Sequence, residues 1–337
     1  MEKFQSTKLP SLLESLSIGS NSLEGGIPKS FGDACALRSL DMFNTSLSEE
    51  FPMIIHHLSG CARYSLERLY LGMNQINGTL PDLSIFSSLR ELNLHGNKLN
   101  GEIPKDNKFP PQLEQLDLQS KSLKGVLTDY HFANMSKLYF LDLSDNSLLA
   151  LAFSQNWVPP FQLSHIGLRS CKLGPVFPKW LETQNQFGDI DISNAEIADM
   201  VPKWFSANLA FREWISMNIS YNNLHGEIPT GTQLQSFNAS CYEDNLDLCG
   251  PPLEKLCIDG KPAQEPIVKV PEDENLLFTR EFYMSMAIGF VISFWGVFGS
   301  ILINRSWRHA YFKFISNFSN AIYVMAAVKV FKWHQRG

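Results

Sequence analysis

The stretch "LRELNLHGNKLNGEIP", residues 89–104, carries the pattern on which the fold of this chain depends. Leucines stand at positions 89, 92, 94 and 99 around one asparagine, Asn97, and the stretch ends on Gly101, Ile103 and Pro104. An amphipathic helix would keep its apolar residues at helical spacing throughout, and a strand with an ordinary loop would not need the asparagine. The stretch is therefore one unit of a longer pattern.

The same frame occurs nine times along the chain, with 23 to 29 residues between successive starts. The starts are Leu13, Leu37, Leu66, Leu89, Leu113, Leu138, Leu163, Phe187 and Trp214. A period in this range that carries L-x-x-L-x-L-x-x-N/C-x-L is the signature of leucine-rich repeats. The sequence predicts an α/β solenoid of about nine coils over residues 1–229, with a short parallel sheet on its concave face.

The asparagine of each repeat is expected to be structural. Its side-chain amide can satisfy buried backbone groups in the turn between neighbouring coils. Asparagine stands at this position in five repeats, as Asn21, Asn74, Asn97, Asn146 and Asn222, and other residues stand there in four, as Thr45, Lys121, Cys171 and Ala195. A lysine would bring a charge towards the core unless its stem extends outward, so we expect a locally weak coil at Lys121.

Composition and motifs argue against several classes of function. The chain has 337 residues, 44% hydrophobic and 18% charged, and its net charge of −6 gives no electrostatic reason to bind nucleic acid. It contains no P-loop, no H-E-x-x-H, no G-x-S-x-G and no paired C-x-x-C. We therefore predict no enzyme activity, no cofactor and no metal site, and we expect the doublet His56-His57 on a helix surface.

A second large feature is "FYMSMAIGFVISFWGVFGSILI", residues 282–303, which contains no charge over 22 residues. As a helix it would be about 33 Å long, enough to cross a bilayer, and a buried core helix is the alternative. We predict a transmembrane helix over residues 282–304. Ser285, Gly289 and Ser293 recur every four residues in it, a spacing that lets two membrane helices pack closely.

The flanks of this segment predict its orientation. An acidic linker over residues 261–281 precedes it, whereas the tail over residues 305–337 is basic and has no acidic residue. The positive-inside rule places the tail in the cytosol and the repeats outside, a single-pass type I arrangement. N-x-S/T acceptors for glycosylation occur in the repeat region at Asn44, Asn77, Asn134, Asn218 and Asn238, which agrees with an outside location.

Three cysteines lie in residues 230–260, directly after the last repeat, where the open end of an apolar stack must be capped. We prefer a disulfide between Cys249 and Cys257, which leaves Cys241 without an obvious partner. Cys35 and Cys61 lie in the connecting segments of successive repeats. They either form a second bridge or remain as two buried thiols.

The repeats resemble the plant version, L-x-x-L-x-L-x-x-N-x-L-x-G-x-I-P. Besides residues 89–104, the match is carried by "LESLSIGSNSLEGGIP" (13–28), "LERLYLGMNQINGTLP" (66–81) and "WISMNISYNNLHGEIP" (214–229). With the end segment "TGTQLQSFNASCYEDNLDLCGPPLEKLC" (230–257), the acidic stretch, the apolar segment and the short basic tail, the chain resembles plant leucine-rich-repeat receptor-like proteins.

This resemblance implies a plasma-membrane receptor without a kinase, used in plant defence or development. Its concave face would recognise an extracellular peptide, protein or carbohydrate, and a separate receptor kinase would carry the signal inward. The first residues show no basic start followed by an apolar run, so no secretory signal is seen. We expect a version shortened at its N-terminus and internally, and a non-signalling remnant or decoy that competes for the kinase is the alternative function.

The outward strand residues of the repeats make the predicted concave face. Exposed aromatic and arginine side chains are the usual anchors of binding surfaces. On this basis the candidate ligand-binding residues are Tyr70, Tyr139, Phe140, His165 and Arg169. The column Asp41, Asp117, Asp142 and Asp191 is interpreted as common filler of the repeat pattern.

Overall fold

The computed structural model describes residues 8–120, 122–207, 216–230 and 233–257, which all belong to one compact unit of the chain. Lys121, the linker over 261–281, the apolar segment over 282–304 with Ser285, Gly289 and Ser293, and the basic tail lie outside the described residues. Within the described ranges, no helix has the length and apolar character that a bilayer crossing requires.

A nine-stranded parallel sheet runs through the described coils and confirms the predicted solenoid. Its strands follow one another in chain order: Ser15–Ser17, Ser39–Asp41, Arg68–Tyr70, Glu91–Asn93, Gln115–Asp117, Phe140–Asp142, His165–Gly167, Asp189–Asp191 and Ser216–Asn218. Each strand pairs with the next without offset, so that Leu69, Leu92 and Leu116 lie side by side.

The strands are short because the L-x-L motif places one buried residue at the centre of each. The central side chain is at most 2% exposed in every strand of the sheet except the first, where Leu16 is half-buried. Side chains in a strand alternate between the two faces, so the residues on either side of the central one point to solvent. Glu91 and Asn93 flank the buried Leu92 in this way.

The remaining elements lie in the connections between these strands or after the last of them. A four-stranded sheet comprises Asn77–Gly78, Lys98–Glu102, Ser122–Leu127 and Leu148–Leu151, and a two-stranded sheet joins His225–Glu227 to Asp247–Cys249. The α-helices are Phe51–Leu58, Ala62–Ser65, Asp129–Phe132 and Lys203–Ala207. The 3-10 helices are Lys29–Asp33, Lys179–Thr183, Gln233–Ser236 and Ala239–Tyr242.

The helix Phe51–Leu58 shows how a connection joins the core. It buries Phe51, Ile54, Ile55 and Leu58, which share one face at helical spacing. His56 on the opposite side is exposed, as expected. His57 is half-buried, and its Nδ1 lies 3.3 Å from a carboxylate oxygen of Glu49.

Buried asparagines join successive coils. Asn74 is 3% exposed, and its Oδ1 accepts from the backbone N–H groups of Thr45 and Leu47 in the preceding coil, both at 2.9 Å. Its Nδ2 donates to the carbonyl of Met42 in that coil and to the carbonyl of Leu71 in its own. With a further bond from Nδ2 to the carbonyl of Gly72, one amide contacts five backbone groups, two donors and three acceptors.

The same bridge occurs at the other buried asparagines of the repeat. It is formed by Asn97, Asn146, Asn222 and also Asn245, which donates to the carbonyl of Ile219 in the preceding coil. Asn245 was not predicted. The sequence analysis placed it in the cap, so the bridging pattern extends beyond residue 229. Asn21 differs because it is exposed and donates only to carbonyls of its own coil, those of Ile18 and Gly19.

Other residues at the asparagine position perform part of its role. The thiol of Cys171 donates to the carbonyl of Leu143 in the preceding coil, at 3.2 Å. Burial raises the pKa of this thiol to about 12, so it stays protonated and unreactive at neutral pH. The hydroxyl of Thr45 donates to Met42 of its own coil. Ala195 has no polar side chain, but its carbonyl accepts from Leu173 in the preceding coil.

Two disulfides fix the connecting segments. Cys35 is bonded to Cys61, so of the two alternatives raised by the sequence the structure has the bridge, which joins two successive coils. Cys249 is bonded to Cys257 after the last strand. Cys171 and Cys241 are free thiols.

The asparagine bridge predicts an unequal response to two matched substitutions. Asn74→Ala leaves the N–H groups of Thr45 and Leu47 buried without their acceptor, and we expect it to destabilise the fold by about 3 kcal/mol. Asn21→Ala removes an exposed side chain and should cost about 0.5 kcal/mol or less. Thermal unfolding followed by circular dichroism measures both. Equal shifts of the two midpoints would contradict a bridging role for Asn74.

Candidate functional site

The solvent side of the nine-stranded sheet, called the strand face below, holds the predicted ligand-binding residues. Phe140 and His165 occupy paired positions on neighbouring strands, Phe140–Asp142 and His165–Gly167. Their rings stack with centroids 4.2 Å apart and an interplanar angle of 10°. Tyr139, one residue before Phe140, is 39% exposed, and its hydroxyl accepts a hydrogen bond from the amide of Gln115.

His165 lies between two carboxylates. Its Nδ1 is 2.7 Å from Asp189, and its Nε2 is 3.8 Å from Asp142. Burial lowers the pKa of His165, but the two carboxylates raise it more, so the pKa lies above its ordinary value. The imidazole therefore carries a positive charge over a wider pH range than a free histidine.

Arg169 lies two residues beyond the strand His165–Gly167 and pairs with Asp145. Its Nε and one terminal nitrogen donate to the two carboxylate oxygens of Asp145, at 2.9 and 2.8 Å. Gly167 separates His165 from Arg169, and a Cβ at Gly167 would lie 2.6 Å from the carboxyl carbon of Asp142. The absence of a side chain at Gly167 therefore gives the Asp142 carboxylate its space.

Tyr139, Phe140, His165 and Arg169 form what we call the 139–169 patch. Tyr70 does not belong to it, because two strands separate its strand from Phe140–Asp142 and neighbouring strands lie about 4.8 Å apart. The Tyr70 hydroxyl donates to Glu91, and burial together with Glu91 raises the pKa of Tyr70. The structure thus brings four of the five predicted residues together.

The aspartate column has a structural role that the sequence analysis missed. The side chains of Asp117, Asp142 and Asp191 each accept a hydrogen bond from the backbone N–H two residues later, at 2.8 to 3.2 Å. Asp41, Asn93 and Asn218 do the same at their strand ends. This Asx turn ends six of the nine strands at the third residue, and the recurrence of Asp or Asn at that position is its sequence signal.

Two neighbours in this column differ in their acidity. Burial and the carboxylate of Asp142 hold the pKa of Asp117 above its ordinary value. Burial also acts to raise the pKa of Asp142, but His165 and the bonds from Ser144 lower it more, so it lies below its ordinary value. A further negative charge beside Asp117 would therefore be unfavourable.

The predicted glycosylation sites are distributed over several parts of the fold. Asn44, Asn134 and Asn238 are exposed, whereas Asn77 and Asn218 are half-exposed. Asn218 lies on the strand face, where its side-chain oxygen accepts from the backbone N–H and hydroxyl of Ser220. Across the described ranges no group of three or more His, Cys, Asp or Glu residues is arranged to hold a metal ion.

Sequence comparisons identify relatives of this chain. The Leucine Rich Repeat family model matches residues 12–34 and 88–108. The chain is 36% identical to Receptor-like protein EIX2 of Solanum lycopersicum, over 64% of this chain and 28% of that protein. It is 50% identical to Receptor-like protein EIX1 of the same species, over 32% of this chain and 10% of that protein.

A solved structure shares the fold. The leucine-rich-repeat ectodomain of the plant membrane receptor kinase GASSHO1/SCHENGEN3 from Arabidopsis thaliana, in complex with CASPARIAN STRIP INTEGRITY FACTOR 2, matches with a TM-score of 0.57 at 25% identity. The match covers 73% of this chain and 31% of that chain.

The stacked coils, the asparagine bridges and these matches define a protein with a leucine-rich-repeat solenoid. Within that class, the sequence of the chain is similar to those of plant receptor-like proteins. It spans 28% of the length of EIX2 and 10% of the length of EIX1.

The contacts of His165 predict a pH-dependent effect. Replacing Asp189 with asparagine removes the carboxylate at 2.7 Å and should lower the pKa of His165. Because the folded-state pKa is raised, the stabilisation is present below about pH 6.5, the unfolded-state value, and is lost as pH rises through the folded-state pKa. The stability difference between the native chain and Asp189→Asn should therefore shrink as the pH rises from slightly acidic to alkaline.

Titration of the His165 imidazole by NMR measures this effect directly. Glu114→Gln changes a carboxylate elsewhere on the strand face, next to Arg90, and should leave the His165 titration where it is. If the pKa of His165 is the same in Asp189→Asn as in the native chain, the Asp189 carboxylate does not stabilise the charged imidazole.

Proposed function

We propose that this chain recognises an extracellular ligand at its strand face and signals through a separate receptor kinase, in plant defence or development. The observation that carries the proposal is the 139–169 patch, in which exposed tyrosine, stacked Phe140 and His165, and a half-exposed arginine lie on one face. Aromatic and arginine side chains dominate the binding energy of protein interfaces. A peptide or protein is therefore the favoured ligand.

Two relationships support a receptor role. The relatives EIX2 and EIX1 are receptor-like proteins by name, and the structurally similar ectodomain was solved with CASPARIAN STRIP INTEGRITY FACTOR 2 bound. The apolar segment over 282–304 is proposed to cross the plasma membrane once. The repeats would then lie outside and the basic tail in the cytosol, and the spaced Ser285, Gly289 and Ser293 would contact the transmembrane helix of the kinase.

Ligand-dependent association with a kinase tests the receptor role. The tagged full chain is expressed in plant cells, treated with peptide fractions from the extracellular fluid, and its co-precipitated receptor kinases are quantified by mass spectrometry. We expect a fraction that increases the recovered kinase, and a reduction of that increase by about tenfold or more in Phe140→Ala with Arg169→Ala.

Tyr64→Ala is the matched control, because Tyr64 is 59% exposed but lies on the helix Ala62–Ser65, outside the strand face. If a receptor kinase co-precipitates but no peptide fraction changes its amount, the result would favour a decoy that competes for the kinase. If no receptor kinase co-precipitates, the result would contradict both functions.

The predicted orientation has its own test. If the repeats enter the secretory lumen, a glycosidase that removes N-linked glycans should increase the gel mobility of the expressed chain. Replacing the five acceptors by glutamine should remove that change, with the largest share expected from the exposed Asn44, Asn134 and Asn238. A stably expressed chain whose mobility is insensitive to the enzyme would contradict an outside location of the repeats.

A further inference from the structure

A cavity of about 570 Å³ lies beside the turn that follows the strand Glu91–Asn93. His95, Gln119 and Asp145 line it from the strand-face side, and Lys98, Asn100 and Ser122 line it from the four-stranded sheet. We propose that this cavity binds one or two sugar residues of an extracellular oligosaccharide. The inference goes beyond the proposed function, because it needs neither the 139–169 patch nor a kinase.

The cavity lies between two coils of the solenoid. Asn97 and Lys98 line it from one coil, and Ser120 and Ser122 line it from the next.

The polar groups on the cavity wall suit hydroxylated rings. The amides of Asn100 and Gln119 and the hydroxyl of Ser122 provide both donors and acceptors, as a sugar hydroxyl requires. Asn100 is exposed, and its contact to the carbonyl of Lys98 is a long 3.5 Å. Gln119 also lines the cavity, and its amide donates one hydrogen bond to Asp145 at 3.1 Å.

The rest of the lining favours a neutral ligand with an apolar side. Met73 is 50% exposed and presents a thioether against which the C–H face of a sugar ring can pack. Lys98 and Asp145 carry opposite charges, so the wall does not select an ion of either sign. The volume lies within the range of about 300–1,000 Å³ that is typical of small-molecule sites.

Saturation-transfer difference NMR on the purified full chain tests the proposal. The probes are cellotetraose, xylotetraose, chitotetraose and maltotetraose at millimolar concentration, in a detergent without a sugar headgroup. We expect transfer to at least one probe. Ser122→Phe, which fills the cavity, and Asn100→Ala, which removes a polar contact, should each weaken its binding tenfold or more.

Matched controls come from other coils. Ser147 follows Asn146 as Ser122 follows the lysine, and Asn223 is an exposed amide outside the cavity, so Ser147→Phe and Asn223→Ala should bind normally. Absence of transfer to all four probes would overturn the proposal, as would binding that both cavity variants retain. If Ser122→Phe does not fold, Asn100→Ala decides. None of these outcomes depends on the kinase experiment.

Discussion

An asparagine side chain at the turn of one coil holds two coils together. Asn74 and Asn222 each accept two backbone hydrogen bonds from the preceding coil and donate back to it, while remaining buried. A coil has few polar partners of its own at this turn, and buried backbone groups without partners are costly. The leucines supply most of the apolar burial, and the amide ties the turn of one coil to the coil before it wherever the asparagine is present. Pairing without offset continues through the coils in which Thr45, Cys171 or Ala195 replaces the asparagine. Every surface on the sheet depends on this even spacing of the coils.

The strand face inherits its order from this spacing. Because neighbouring strands pair without offset, Phe140 lies directly beside His165, and Asp142 lies beside Gly167. The stacked rings and the Asp142 carboxylate beside the His165 imidazole are consequences of residues brought side by side from positions 25 apart in the chain. The same geometry restricts how a ligand can contact the 139–169 patch. Arg169 is engaged on both sides of its guanidinium by Asp145 and Asp191, so any ligand must compete with or extend these ion pairs.

Periodicity made the solenoid predictable, since each coil contacts only its neighbours and repeats the same leucine and asparagine positions. Asn245 was missed because its coil replaces the first leucines of the frame with Tyr242 and others, although its bridge is the same. The Cys35–Cys61 bond could not be decided in advance, because it depends on how two connecting segments lie in space. Tyr70 was grouped with the other candidates by residue type and outward position, although the order of the repeats already placed it three coils before Tyr139. The strand-ending aspartates looked like filler because their hydrogen bonds are local and leave no mark on the apolar pattern.

Pairing without offset also bears on how such a chain can change over generations. Neighbouring described coils are joined by the same backbone ladder, and in several of them by the same asparagine bridge, so one coil can be followed by many others. If recombination duplicated or deleted one whole coil in the gene, the flanking coils would meet at an equivalent junction. The strands of the remaining coils would keep their pairing. The disulfide between Cys35 and Cys61 is an exception, because it couples two particular neighbours and resists their separation. Variation in the number of coils should therefore be easier among the coils that follow Cys61 than between the two coils that the disulfide joins.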